Sequence, residues 1–210
     1  VWGHHMFTSQ SEFAALVFSV ITYLTALPSG VKIFNWLATL YKGKISFEAP
    51  MLYAINFLLL FAIGGLTGIF LGTLSVDIML HDTYFVVAHF HYVMMGGVLF
   101  ALITAIHHWW PKITGKMFSE KKGIAVFVLA FVSYNMTFAP QFVMGAQGMP
   151  RRYHEYLPQF ELWHQLSSYG SFAFGFSLFL ILIYLIQSLL SGEKAPQNPW
   201  GGVSMEWETA

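Results

Sequence analysis

The sequence predicts an all-α membrane protein, a polytopic transmembrane helix bundle with about five spans in 210 residues. Three observations predict it. Hydrophobic residues make up 56% of the chain and charged residues only 10%, against about 25% charged in soluble domains. Five apolar stretches reach the ~20 residues that a helix needs to cross the hydrocarbon core. The segments joining them are short and polar, with no repeat, low-complexity tract or domain linker among them.

The first stretch, residues 13–40, contains Pro28 and Gly30, which membrane helices tolerate where neighbours re-satisfy the freed backbone groups. The others cover 51–73, 83–110, 123–147 and 162–191. Beyond them Gly, Pro and charge replace the apolar run, so the chain divides into a transmembrane core at 1–190 and a polar tail at 191–210. Lysine placement orients the bundle. Lys42 and Lys44 lie in the first connection, Lys112, Lys116, Lys121 and Lys122 in the third, and Lys194 in the tail. These segments share a side, and the positive-inside rule makes it cytoplasmic, or matrix in an organelle. The second and fourth connections then face outward. The fourth holds Arg151 beside Arg152, which runs against the rule and points to an anion, or to interfacial anchoring.

Composition also excludes functions. The net charge is zero, so no basic excess exists to hold nucleic acid. Absence of cysteine excludes disulfides, zinc–thiolate sites and iron–sulfur clusters within this stretch. Ten Met and 21 Phe suit a lipid-facing or cofactor-packed interior. Val1 is not an initiator and an adjacent His pair follows at once, so the expectation is a portion of a longer chain.

Histidines carry the candidate chemistry. In the third span Ala88-His89-Phe90-His91 places two imidazoles at i and i+2, which diverge by about 200° on a helix. One metal cannot take both, but two cofactors on opposite flanks could take one each, and intramembrane ionisable groups are costly and usually functional. The bland alternative is a pair of core histidines bonded to neighbouring helices. His89 and His91 lie roughly 12 and 15 Å below His81 at ~1.5 Å per residue, a depth from which a heme could reach the outer loops. There Arg151 and Arg152 can bind carboxylates through charge-assisted bonds. Asp77, His81 and Asp82 crowd the other outer connection; His81 and Asp82 offer N and O ligands to a divalent ion, or Asp82 caps the third span. His4 and His5 could converge on one copper, zinc or iron only with further ligands from elsewhere. Lys32 sits inside a span, where a central lysine costs about 2.5–3.5 kcal/mol. Thr22, Thr25, Ser29 and Lys32 share one helix face. They form either a hydrogen-bonded proton path or hydroxyls bonded to their own helix beneath a snorkelling lysine. His107 and His108, beside Trp109 and Trp110, read as interface anchors, and His154 and His164 belong to no constellation.

These residues fall in the motifs VWGHHMF (1–7), LPSGVKIFNWLATL (27–40), GGLTG (64–68), HDTYFVVAHFHYV (81–93) and GMPRRY (148–153). With them the chain resembles subunit I of the heme-copper oxidases, in the cytochrome c oxidase branch, over nearly its whole length and in family order. The resemblance implies that His4 and His5 are two of three ligands to the active-site copper. It implies that His89 is the axial ligand of the high-spin, oxygen-binding heme and His91 one of two axial ligands of the low-spin heme, with Phe90 between the hemes. It further implies that Arg151, Arg152 and Asp77 contact heme propionates, and that His81 and Asp82 belong to a magnesium site completed by another subunit. Lys32, Ser29 and Thr25 would form one proton-uptake path; the family has Thr at Ser29, and the hydroxyl survives. The segment TSQSEFAALVFSV (8–20) lacks the family's Gly-rich turn.

The function implied is reduction of O2 to water at a heme-copper centre, coupled to proton translocation. The cofactors implied are two hemes (of the heme A type), copper and magnesium. The implied partners are a copper-carrying subunit II, other oxidase subunits and cytochrome c, in a bacterial inner membrane rather than a mitochondrial one, since the tail NPWGGVSMEWETA resembles bacterial members. The third copper ligand and the second low-spin heme ligand would lie upstream of Val1, so this stretch alone is expected to be inactive. A quinol oxidase of the same superfamily is the nearest alternative, disfavoured by His81-Asp82, Tyr92 and Pro150. A heme-free transporter whose Lys32 stripe binds substrate is the alternative from another class.

Overall fold

The structure, a computed structural model, describes residues 5–8 and 11–208. Its helices run α1 (Glu12–Leu40), α2 (Ala49–Gly72), α3 (Leu74–Leu80), α4 (Tyr84–Val93), a π-helical segment (Met94–Leu99), α5 (Phe100–Thr114), α6 (Glu120–Ala146) and α7 (Glu161–Ser191). Among the described residues there is no β-strand, only two isolated bridges. Five helical runs are long and apolar enough to cross a membrane: α1, α2, the continuous run Tyr84–Thr114, α6, and α7 with the turn from Pro158. The chain is a polytopic all-α membrane protein, and the five expected spans return with ends shifted by a few residues at most.

Local chemistry sets the ends. Ser11 caps α1 by accepting from the Ala14 N–H, and Pro50 occupies the first turn of α2, where its missing N–H costs nothing. The third span runs past Pro111 to Thr114 instead of stopping at residue 110. The Gly115 N–H still finds the Pro111 carbonyl at 2.9 Å, and Gly115 ends the helix in a left-handed conformation (φ +68°). Two elements have no counterpart in the sequence reading. Helix α3 is too short to show apolar periodicity, and the π segment looks like ordinary apolar helix.

The core lies where α2, α4, α5, α6 and α7 meet, and aromatic rings fill it. Tyr134 meets Phe100 edge-on at 5.3 Å, Tyr92 at 5.5 Å and Phe174 at 5.4 Å, each such pair contributing about 0.5–1.5 kcal/mol beyond burial. Helix α1 is largely exposed and is pinned near its start. Ser19 donates to the Gly72 carbonyl at 2.6 Å and accepts from the Leu74 N–H at 3.3 Å, which fixes α1 to the corner between α2 and α3. The tail folds back on the lysine-rich end of α5: Trp200 donates to the His108 carbonyl at 2.8 Å, and Trp207 is buried.

Candidate cofactor site

Helix α4 sends its two histidines in different directions. His89 turns to α2. Its Nδ1 donates to the Gly64 carbonyl at 2.9 Å and lies 3.2 Å from Thr67 Oγ1. The ring lies against Gly68, where a Cβ would stand 2.9 Å from His89 Cε1. The GGLTG segment therefore supplies both the acceptor and the room. His91 turns to α6: its ring stacks on Phe138 at 4.2 Å and 20°, and its Nδ1 donates to the Val87 carbonyl at 2.8 Å. Phe90 also stacks on His91, at 4.4 Å. A carbonyl only accepts, so Nδ1 carries the proton in both rings and Nε2 carries the lone pair. Histidines that ligate metal through Nε2 are held in this way by a bond from the other nitrogen.

A cavity of about 740 Å³ opens beside His89, within the ~300–1,000 Å³ range of cofactor pockets. Thr22 and Thr25 of α1, Gly68 and Leu71 of α2, and His89 and Phe90 of α4 line its walls, with Asp77, His81, Asp82 and Arg151 at the outer end. Arg151 grips Asp82 Oδ1 through Nε at 2.7 Å and Nη2 at 2.5 Å, and its backbone N–H meets the Asp82 carbonyl at 2.9 Å. That hydrogen bond holds the Asp82 carboxyl below the usual carboxylate range. Asp82 does not cap the third span. It turns the chain from α3 into α4 in a left-handed conformation (φ +56°) with its carboxylate committed to Arg151, and Thr83 caps α4 by accepting from the Phe85 N–H at 3.2 Å. Asp77 is buried, which pushes its carboxyl up to about 6 against the pull of His81.

His81 stands 3.9 Å from Asp77 and 3.6 Å from Asp82. Among the described residues no three His, Cys, Asp or Glu side chains are grouped to hold a metal, so His81 and Asp82 would need a donor from elsewhere. His4 lies outside the described residues. His5 is exposed, with its carbonyl accepting from Thr8, while Phe7 packs on His81 at 4.5 Å. That contact brings the His5 segment to the outer end of the cavity. Arg152 is exposed, with φ +70°. The hydroxyls of Thr22, Thr25 and Ser29 bond back to the carbonyls of Phe18, Thr22 and Thr25. Lys32 is exposed, with Nζ 5.5 Å from the Trp36 ring centre. The α1 stripe therefore meets the cavity at Thr22 and Thr25, with Lys32 at its far end.

His107 is no interface anchor. It is fully buried, its Nδ1 donating to Ile103 at 2.7 Å and its Nε2 accepting from the Tyr184 hydroxyl, with Tyr53 packed on its ring at 5.0 Å. The partner comes from α7, and no local signal in the sequence announces it. His154 lies exposed beside Glu155, and His164 stacks on Tyr156 at 4.0 Å.

Residues 1–173 match the family model described as "Cytochrome C and Quinol oxidase polypeptide I", and the chain belongs to that family. It is 48% identical to the cytochrome c oxidase subunit 1 of Thermostichus vulcanus over 100% of this chain and 38% of that protein. For the protein of the same name from Bacillus sp. (strain PS3) the figures are 44%, 100% and 35%. The chain thus spans little over a third of the length of these curated relatives. Among solved structures, one described as a heme-copper terminal oxidase dimer superposes with a TM-score of 0.78 over 92% of this chain and 40% of its own, at 21% identity. That likeness shows a shared fold. Family membership leaves the transporter alternative without support.

Proposed function

We propose that this chain is the C-terminal part of the catalytic subunit of a cytochrome c oxidase, which reduces O2 to water with electrons from cytochrome c and translocates protons. One observation carries the reading: His89 and His91 leave one helix towards different neighbours, each with Nδ1 anchored on a carbonyl. The residues present suit a heme at His89, because the cavity there has the volume of a cofactor pocket and ends at Arg151 and Asp77. When bound, two hemes of the A type and a copper ion supply the electron-transfer and oxygen chemistry that side chains cannot.

The chain's own part is to hold and orient. His89 would hold the oxygen-binding heme, and the Gly64 carbonyl fixes its ring plane and tautomer. His91 would be one ligand of the low-spin heme, and Phe138 stacks on its ring. His4 and His5 would be two of the copper ligands. Arg151, Arg152 and Asp77 would meet the propionates, and burial raises the pKa of the Asp77 carboxyl to about 6. His81 and the Asp82 Oδ2, beside the Oδ1 that Arg151 holds, would give two donors to a magnesium ion completed by a partner subunit. Lys32, Ser29 and Thr25 pass protons along α1 to the cavity, the hydroxyls rotating between their own carbonyls and water. The partners are a copper-carrying subunit II and other oxidase subunits, in a bacterial cell membrane.

The test is an absorption spectrum and oxygen uptake of the full-length protein purified with its partner subunits. Two distinct heme signatures and uptake driven by reduced cytochrome c are expected. Uptake driven by quinol alone would transfer the chain to the quinol branch, and a spectrum without a Soret band would overturn the reading altogether.

A further inference from the structure

We infer that Tyr134 is a positioning residue for the low-spin heme, acting on His91 through the backbone; the inference rests on the assignment of His91 as a ligand of that heme. The Tyr134 hydroxyl, on α6, donates to the His91 carbonyl at 2.8 Å. Tyr134 is fully buried, so the bond has no competition from water. It lands where the helix is least regular. The π segment begins three residues beyond His91, at Met94, whose N–H is shared between the His91 and Phe90 carbonyls. A π turn loosens the regular i to i−4 pairing and recurs at functional sites. The Tyr134 hydroxyl gives that loosened carbonyl a second donor and fixes the height of His91 on its helix.

The neighbouring chain is shaped to admit the bond. A Cβ at Gly96 would stand 3.2 Å from the Tyr134 hydroxyl and 2.8 Å from Leu60 Cβ, so a side chain there would force Leu60 aside and crowd the phenol. One helical turn along α6, Phe138 stacks on the His91 ring at 4.2 Å and packs on Tyr134 at 4.9 Å. Two adjacent side chains of α6 therefore hold one histidine by its backbone and by its ring. Ring orientation and bond length at an axial histidine set the electronic signature of the iron it binds. Loss of the hydroxyl should therefore register in that signature without removing the ligand.

The experiment compares Tyr134→Phe, Tyr92→Phe and His91→Ala in the full-length, partner-assembled protein by low-temperature EPR and optical titration. Tyr92 is the control: its hydroxyl is equally buried and joins the same two helices through Asn135 Oδ1 at 2.8 Å, without touching the His91 carbonyl. Tyr134→Phe is expected to shift the g values and midpoint potential of the low-spin heme while both hemes stay bound. Tyr92→Phe leaves them in place. Unshifted values in Tyr134→Phe, or equal shifts in both tyrosine variants, overturn the inference while leaving the ligand assignment intact. A low-spin signal that survives in His91→Ala overturns the ligand assignment itself. Should Tyr134→Phe fail to accumulate, Phe138→Leu removes the other half of the grip. A shifted signature there supports the α6 grip, and an unshifted one overturns it.

Discussion

His89 and His91 stand two residues apart on α4, yet the Gly64 carbonyl of α2 holds the first and the Phe138 ring of α6 stacks on the second. A helix turns about 100° per residue, so an i, i+2 pair faces opposite flanks. Here both flanks carry built partners. Each ring has its Nδ1 committed, which leaves the chemistry of each histidine to Nε2.

Gly68 is the narrowest point around His89. In Gly68→Ala the new methyl would lie 2.9 Å from Cε1, and overpacking of this kind costs about 1–3 kcal/mol. The ring should tilt away from α2. The expected result is a displaced carbon monoxide difference spectrum for the oxygen-binding heme with the low-spin bands unchanged. An unaltered carbon monoxide spectrum would show that the ring does not rest on this glycine.

His5→Ala should deplete copper while both hemes remain. Metal content measured by mass spectrometry against heme content checks this directly. Unchanged copper would remove His5 from the ligand set.

Lys32→Met should slow reduction of the oxygen-binding heme in stopped-flow experiments. The structure makes the prediction sharper, because Lys32 lies at the far end of a hydroxyl stripe whose other end, Thr22 and Thr25, lines the cavity. A normal rate would reduce the stripe to hydroxyls satisfied by their own helix.

The tail should dock in a pH-dependent way. Glu206 accepts from Trp109 Nε1 at 3.3 Å and lies 3.6 Å from His108 Nε2. The Trp109 bond, with help from His108, lowers its carboxyl below the ordinary 4.5. A depressed carboxylate contributes stability above its unfolded pKa and loses it as pH falls through the folded one. Protection of the amides in residues 198–208, taken relative to their intrinsic exchange rates at each pH, should therefore be high at pH 7 and fall once the pH drops below about 4.5. Protection that stays constant across this range would mean that the tail is held by contacts other than the Glu206 carboxylate, such as Trp200 on the His108 carbonyl and Lys112 on the Glu206 carbonyl.

The spans were legible because membrane thickness writes a length of apolar sequence that no loop here imitates. The α4 histidines were legible because an i, i+2 pair has a fixed angular meaning. Contacts between distant helices were not. His107 reads as an interfacial residue until Tyr184 of α7 is placed against it, and nothing local in the sequence announces the bond from the Tyr134 hydroxyl to the His91 carbonyl. Asp82 is the instructive miss. Local propensity favours it as a cap, but Arg151, 69 residues on, takes its carboxylate, and Thr83 caps the helix instead.

The most direct measurement is EPR and carbon monoxide spectroscopy of His89→Ala and His91→Ala, side by side, in the assembled full-length protein. Each substitution should erase one heme and spare the other: the carbon monoxide-binding heme vanishes with His89, the low-spin heme with His91. If both variants lost the same signal, or neither lost any, the two histidines would not serve separate irons and the account would fail.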